Sequence, residues 1–159
     1  MVAVADVKEL FKLSREQLDE LFTNSPTGEI PNGKARGTAL IAAGTVCTAE
    51  ISECIRFFAW QGKVFDREKG QLKNRVTPLG VHAVSAKVYK NPSWHDDKEC
   101  IVIDYSEMSL MARFIRDEIR LIAPQLYLGK VYWGKTPLPM HFALEFNLPP
   151  DGTQDEKNG

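Results

Sequence analysis

From Gly62 to Phe146 the chain alternates strand-length segments with turn-forming clusters, an order that suits consecutive antiparallel pairing. Segments 62–66 and 71–76 flank a hairpin turn at Arg67 to Gly70. Segment 81–90 is a longer strand. Asn91, Pro92, Ser93 and the polar run His95 to Lys98 then turn the chain, and 99–105 returns. Segments 126–134 and 140–146 form a last hairpin around Lys135 to Pro139, and a short strand at 37–42 precedes the series.

Three segments carry helical signals. Over residues 6–23, Asp6 with Glu9 and Ser14 with Gln17 have capping-box spacing, and Leu18, Leu21 and Phe22 give a short apolar face. Thr48 caps a second helix with Ile51, Cys54, Ile55 and Phe58 inward. The third spans Ser106 to Ile122, where Leu110, Met111, Phe114, Ile115, Ile119 and Ile122 recur at helical spacing and Pro124 ends the run. Arg113, Arg116, Asp117 and Arg120 would form its solvated side. The result is a mainly antiparallel β fold of about seven strands curled into a barrel or half-barrel, with about three helices at its ends or on one face. An α+β fold with an open curved sheet is the alternative. Residues 1–148 read as one globular domain, with helices in 1–25, the barrel in 37–146 and a loose polar tail in 149–159. At this architectural level, residues 37–146 resemble calycin-type barrels, a resemblance that implies a small apolar ligand held inside. The Gly-x-Trp signature of lipocalins is absent, and Ala59-Trp60-Gln61-Gly62 only echoes it.

A net charge of -1 and the lack of a basic stripe argue against a nucleic-acid surface. No apolar run has the length of a membrane span, and Met1 to Asp6 lacks the pattern of a signal peptide. Cys47, Cys54 and Cys100 fit no metal spacing and read as reduced, which points to the cytoplasm. His82, His95 and His141 are unpaired in sequence, and no Gly-x-Ser-x-Gly elbow occurs, so neither a metal nor a cofactor is expected. The strand at 37–42, if it forms a sheet edge, suggests a homodimer.

On the third helix Glu118 falls between Phe114, Ile115 and Ile122, at the centre of the apolar face. A carboxylate there must find a partner, reach water or stay protonated. It is therefore either a structural ion pair or an interior anchor. Strand alternation supplies its candidate partners. Lys63 shares a face with Phe65, Tyr105 with Ile101 and Ile103, Lys130 with Tyr132, and Tyr127 lies on the opposite face of that last strand. Asp104 is a half-buried partner. His141 shares a face with Glu145, while Phe142, Leu144 and Phe146 form the core face of the same strand.

Three functions are compatible with this pattern. The first is binding of a small apolar or aromatic molecule in an interior cavity, anchored at Glu118 and lined by Trp60, Lys63, Phe65, Asp104, Tyr127, Tyr132 and His141. The second is a cofactor-independent lyase, isomerase or hydratase. There Glu118 is the general acid or base, with Tyr105 beside it and Lys63, Lys130 or Tyr132 stabilising negative charge. The third is an interaction module with a filled interior.

Overall fold

A computed structural model of the chain describes residues 4–42, 45–46, 48–49, 51–52, 63–75, 82–108 and 110–146. Helices α1 (Val7–Leu10) and α2 (Arg15–Asn24) lead into eight strands. These are β1 (Gly33–Leu40), β2 (Lys63–Asp66), β3 (Gln71–Arg75), β4 (His82–Pro92), β5 (Glu99–Asp104), β6 (Ile115–Ala123), β7 (Leu126–Trp133) and β8 (Thr136–Glu145). Each strand pairs with the next in antiparallel register, and β1 closes the barrel against β8. The eighth strand is β6, the segment whose spacing suggests a helix; only a 3-10 turn at Leu110–Phe114 precedes it. The strand expected at 37–42 begins earlier, at Gly33, and β1 lies between β2 and β8 rather than at a sheet edge. The last hairpin turns at Gly134 and Lys135, not over 135–139, because Gly134 adopts a positive φ of 61° and lets the strands pair up to Trp133 and Thr136.

The helical signals at the N-terminus hold. Ser14 Oγ accepts from Gln17 N at 3.1 Å while Gln17 Oε1 accepts from Ser14 N at 2.9 Å, a reciprocal cap for α2. Thr48 Oγ1 likewise accepts from Ile51 N at 3.3 Å, at the start of the second expected helix; most of that helix lies outside the described residues.

Period-two alternation sorts the side chains into two clusters. Ala35, Phe65, Leu72, Val88, Ile101, Ile103, Ile119, Val131, Phe142 and Leu144 form the buried cluster that faces the barrel interior. On the outside, Val102, Leu126, Leu128 and Ala143 pack under Val7, Leu10, Leu18 and Phe22 of the two helices. The wall from β5 to β8 is therefore covered on both faces, and β7 is buried from Leu126 to Tyr132. Gly129 is the tight point of that wall. A methyl group there would lie 2.1 Å from Phe142 Cζ, so the ring lies flat against bare backbone. The substitution Gly129→Ala should cost roughly 1–3 kcal/mol by overpacking, read as a lower urea midpoint. An unchanged midpoint would mean that Phe142 has room to move.

The two ends of the barrel differ. At one end run the connections β2–β3, β4–β5 and β6–β7, all short, and the 25–32 segment crosses it. There Leu121 N donates to Pro26 O at 3.1 Å, Tyr127 Oη donates to Glu29 O at 2.7 Å, and Arg67 Nε donates to Ile30 O. Ile30 packs against the interior cluster and stops this end. The connections β1–β2, β3–β4 and β5–β6 run at the other end, together with the tight β7–β8 turn.

Candidate functional site

The change from helix to strand at β6 reverses the roles of two neighbouring acids. On a helix Glu118 faces the core and Asp117 faces solvent. On the strand Ile115, Asp117 and Ile119 point into the barrel, while Arg116, Glu118 and Arg120 point outward. Ile115 and Ile119 satisfy either period, since four residues is both a helical turn and two strand repeats. Pairing settles it: β5 holds one side of β6 through Val102 to Glu118, and β7 holds the other through Glu118 to Lys130. Glu118 is thus not an interior acid, and the interior acid is Asp117.

Asp117 has no exposure, and neither carboxylate oxygen has a hydrogen-bond partner among the described residues. Burial pushes its pKa up to about 7, against the Lys63 ammonium and the Tyr105 hydroxyl, which both draw it down. Lys63 and Tyr105 are buried as well, and Lys63 Nζ lies 5.9 Å from the centre of the Tyr105 ring. All three groups sit toward the end with the long connections: Lys63 opens β2, Tyr105 follows β5 and Asp117 is near the start of β6. Toward the stopped end the interior is aromatic, with Phe65, Tyr127 and Phe146 in edge-to-face contact at 5.4 Å and 5.6 Å. The interior therefore has a polar end and an apolar end, the division a small-molecule site requires.

Glu118 is satisfied on the outer wall. Its Oε2 accepts from Ser93 Oγ at 2.5 Å, and its Oε1 accepts from Trp94 N at 2.8 Å and from Arg116 Nη2 at 3.1 Å. Arg116 in turn stacks on Trp94 at 4.1 Å, and Trp94 meets Tyr132 edge-on. The carboxylate thus anchors the β4–β5 turn to β6. Replacing it by Leu should strand Arg116 and the turn donors and destabilise the fold by roughly 3–5 kcal/mol. A Glu118→Leu chain as stable as the parent in urea would disprove this structural role.

The other expected site residues divide between the two faces. Phe65 and Tyr127 are interior with Lys63 and Tyr105. Lys130 and His141 are outside: both bond Asp19 of α2, His141 Nε2 at 2.8 Å from Asp19 Oδ1. Burial alone would raise the Asp19 pKa, but His141 and Lys130 together hold it far below the usual carboxylate range. Tyr132 is also outside, buried against Trp94, and burial beside Glu118 raises its pKa. Asp104 is outside and half-buried, accepting from Tyr89 Oη at 3.0 Å and Ser106 N at 2.8 Å. Trp60 lies outside the described residues. Lys130 and Glu118 are register neighbours on the outer face while Tyr105 is interior, so the catalytic group expected from sequence is divided between the two faces. A cleft of about 900 Å³ opens between α1, α2 and the segment after β1, lined by Phe11, Leu40, Ile41, Val46 and Pro139. None of the expected site residues lines it, and its charged lining (Lys12, Arg15, Glu16) is exposed, so the buried acid marks the better candidate.

Asp117 is the residue that the sequence reading missed. The signal that finds it is the same alternation that placed Tyr105, continued through 115–121: Ile, Arg, Asp, Glu, Ile, Arg, Leu.

No family model matches the chain, and no curated protein matches it. Among solved structures it is similar to a crystal structure of a protein from Thermomonospora curvata, at 17% identity and a TM-score of 0.55 over 84% of this chain and 87% of that one. At that identity the likeness concerns the fold.

Proposed function

We propose that the barrel holds a small apolar or aromatic molecule, with its polar end at Asp117, Lys63 and Tyr105 and its apolar body toward Phe65, Tyr127 and Phe146. The observation that carries this reading is the Asp117 carboxyl, fully buried with both oxygens lacking a hydrogen-bond partner among the described residues. Native proteins keep few such groups, because an unmatched buried acid costs several kcal/mol, and those that persist commonly serve a functional site. Eight strands enclose enough space for packed side chains or for one small ligand, and ligand-holding barrels of calycin type have this closed antiparallel form. Native mass spectrometry of freshly purified protein, against its denatured mass, tests the reading. A small non-covalent adduct lost on denaturation supports it; a bare mass from every preparation counts against it.

A second reading is favoured by the position of Asp117 near neutrality. A carboxyl raised to about 7 can both give and take a proton, as a cofactor-independent lyase, isomerase or hydratase requires, with Lys63 and Tyr105 stabilising negative charge. Asp117→Asn separates the two: a binding protein keeps its adduct, weakened, whereas turnover of the molecule so identified is lost. Cys100 is buried, and burial pushes its thiol up to about 12, which suits an inert packing role and the cytoplasmic location we propose.

A further inference from the structure

We propose that the cleft between α1, α2 and the segment after β1 is a second binding site, outside the barrel, for a single-chain anionic amphiphile. The alkyl chain lies in the cleft and the anionic head meets Lys12 and Arg15. This site is independent of the interior one, since Asp117, Lys63 and Tyr105 do not line it.

The cleft holds about 900 Å³, within the size range of small-molecule sites. Among its lining residues Leu10, Leu18 and Leu40 are buried, whereas Phe11, Ile41 and Val46 are 61%, 41% and 78% exposed. Five large hydrophobic side chains are exposed among the described residues, and these three line one concavity. Single exposed apolar residues need no explanation, but their concentration around a cleft marks a surface that takes an apolar partner.

The charge at the same place selects the kind of partner. Lys12 and Arg15 lie on the helical side, with Glu16 the one acid among the described lining, so two cations against one carboxylate leave an excess of one positive charge. Neither cation has an ion-pair partner among the described residues. Ser14 and Gln17 are committed to each other, and Thr48 accepts from Ile51 N. A cationic head meets two like charges here, while an anionic head pairs with both. The opposite side, with Ile41, Val46 and Pro139, carries no charge among its described residues. Charge on one side and apolar surface on the other suit an amphiphile better than a compact anion or a hydrocarbon.

The test uses decanoate, decanol and decyltrimethylammonium, which share a chain and differ in the head. Binding of each, below its micellar concentration, to the full chain is measured by calorimetry at about pH 7.4, where decanoate is ionised. At about 10 mM salt decanoate should bind about fivefold or more tightly than either other probe, and the margin should shrink at about 150 mM. Lys12→Gln with Arg15→Gln should remove that margin and leave decanol binding unchanged. Ile41→Ser with Val46→Ser, both at exposed positions, should weaken all three probes. Asp117→Asn should leave decanoate binding unchanged, which separates this site from the barrel interior. Vesicles of phosphatidylcholine with and without phosphatidylglycerol distinguish the source. Sedimentation with the anionic vesicles, lost in the same double variants, assigns a lipid in a bilayer; decanoate binding without sedimentation assigns a free molecule.

Equal binding of the three probes, or preference for the cation, would overturn the anionic head. Decanoate binding that persists in both double variants, or that falls with Asp117→Asn, would overturn the cleft as its site. Failure of every probe to bind would overturn the proposal outright. So would a dimer in analytical ultracentrifugation that the Ile41 and Val46 changes dissolve, since the cleft would then be a contact between copies.

Discussion

The stability of Asp117→Asn relative to the parent should climb by a few kcal/mol between about pH 4 and about pH 8. The sign follows from the direction of the shift. Burial raises the Asp117 pKa from 3.8 to about 7, so in this interval the unfolded chain is ionised and the folded chain is protonated. Unfolding then releases a proton, and the parent loses stability as pH rises through the window. Below the unfolded value both states are protonated, above the folded value both are ionised, and the contribution is flat on either side. Asn does not titrate, so its curve lacks this fall, while contributions from groups that do not interact with Asp117 cancel in the difference. Urea titrations of both proteins at a series of pH values measure it. Parallel curves would show that Asp117 is already ionised and matched in the folded state, which would remove the main support for an interior polar site.

The second large effect lies on the outer wall. Arg120 is almost completely buried and donates to both oxygens of Asp96 at 2.7 Å, to Phe22 O and Lys98 O at 3.0 Å, and to Glu99 O at 3.1 Å. Its guanidinium also lies 4.4 Å from the centre of the Phe22 ring. One side chain thus holds the C-terminal end of α2, the β4–β5 turn and β6 together. Arg120→Met fills part of the volume but leaves the Asp96 carboxylate without its guanidinium partner, while the carbonyls of Phe22, Lys98 and Glu99 each keep one other donor, from Ser25 N, Ser93 N and Thr27 Oγ1. Removing one partner of a buried ion pair costs roughly 3–5 kcal/mol, a third or more of the stability of many domains. The urea midpoint should fall accordingly, with the slope unchanged. A loss below about 1 kcal/mol would mean that water replaces the guanidinium at little cost and that the contact is incidental.

Much of the barrel was legible because hairpin order is local information. The β2–β3 turn, the polar break before β5 and the cap at Ser14 each follow from a few adjacent residues. The interior faces of β2, β5 and β8 were legible too, since Lys63 with Phe65, Ile101 with Tyr105, and Phe142 with Leu144 alternate with other neighbours. What was not legible depends on contacts distant in sequence. Segment 115–123 satisfies both helical and strand periods, and only the flanking strands decide between them. The outer wall of β6 and β7 reads as half-apolar because α2 covers it, a contact no local pattern announces. That one ambiguity moved the candidate acid by a single residue, and in a strand a single residue is the whole thickness of the wall.

The covering of the β5–β8 wall by α1 and α2 has a consequence for how this protein can vary over generations. Along β4, Lys87 faces solvent between buried Ala86 and Val88, so an outward position there can drift at little cost. Along β7 every position from Leu126 to Tyr132 is enclosed, and along β6 the enclosed set includes Glu118 and Arg120, which bond the β4–β5 turn. Accepted change should therefore collect on the β1–β4 half of the barrel. In the β5–β8 half it must come as paired replacements, one on the wall and one in the helix or turn that seals it.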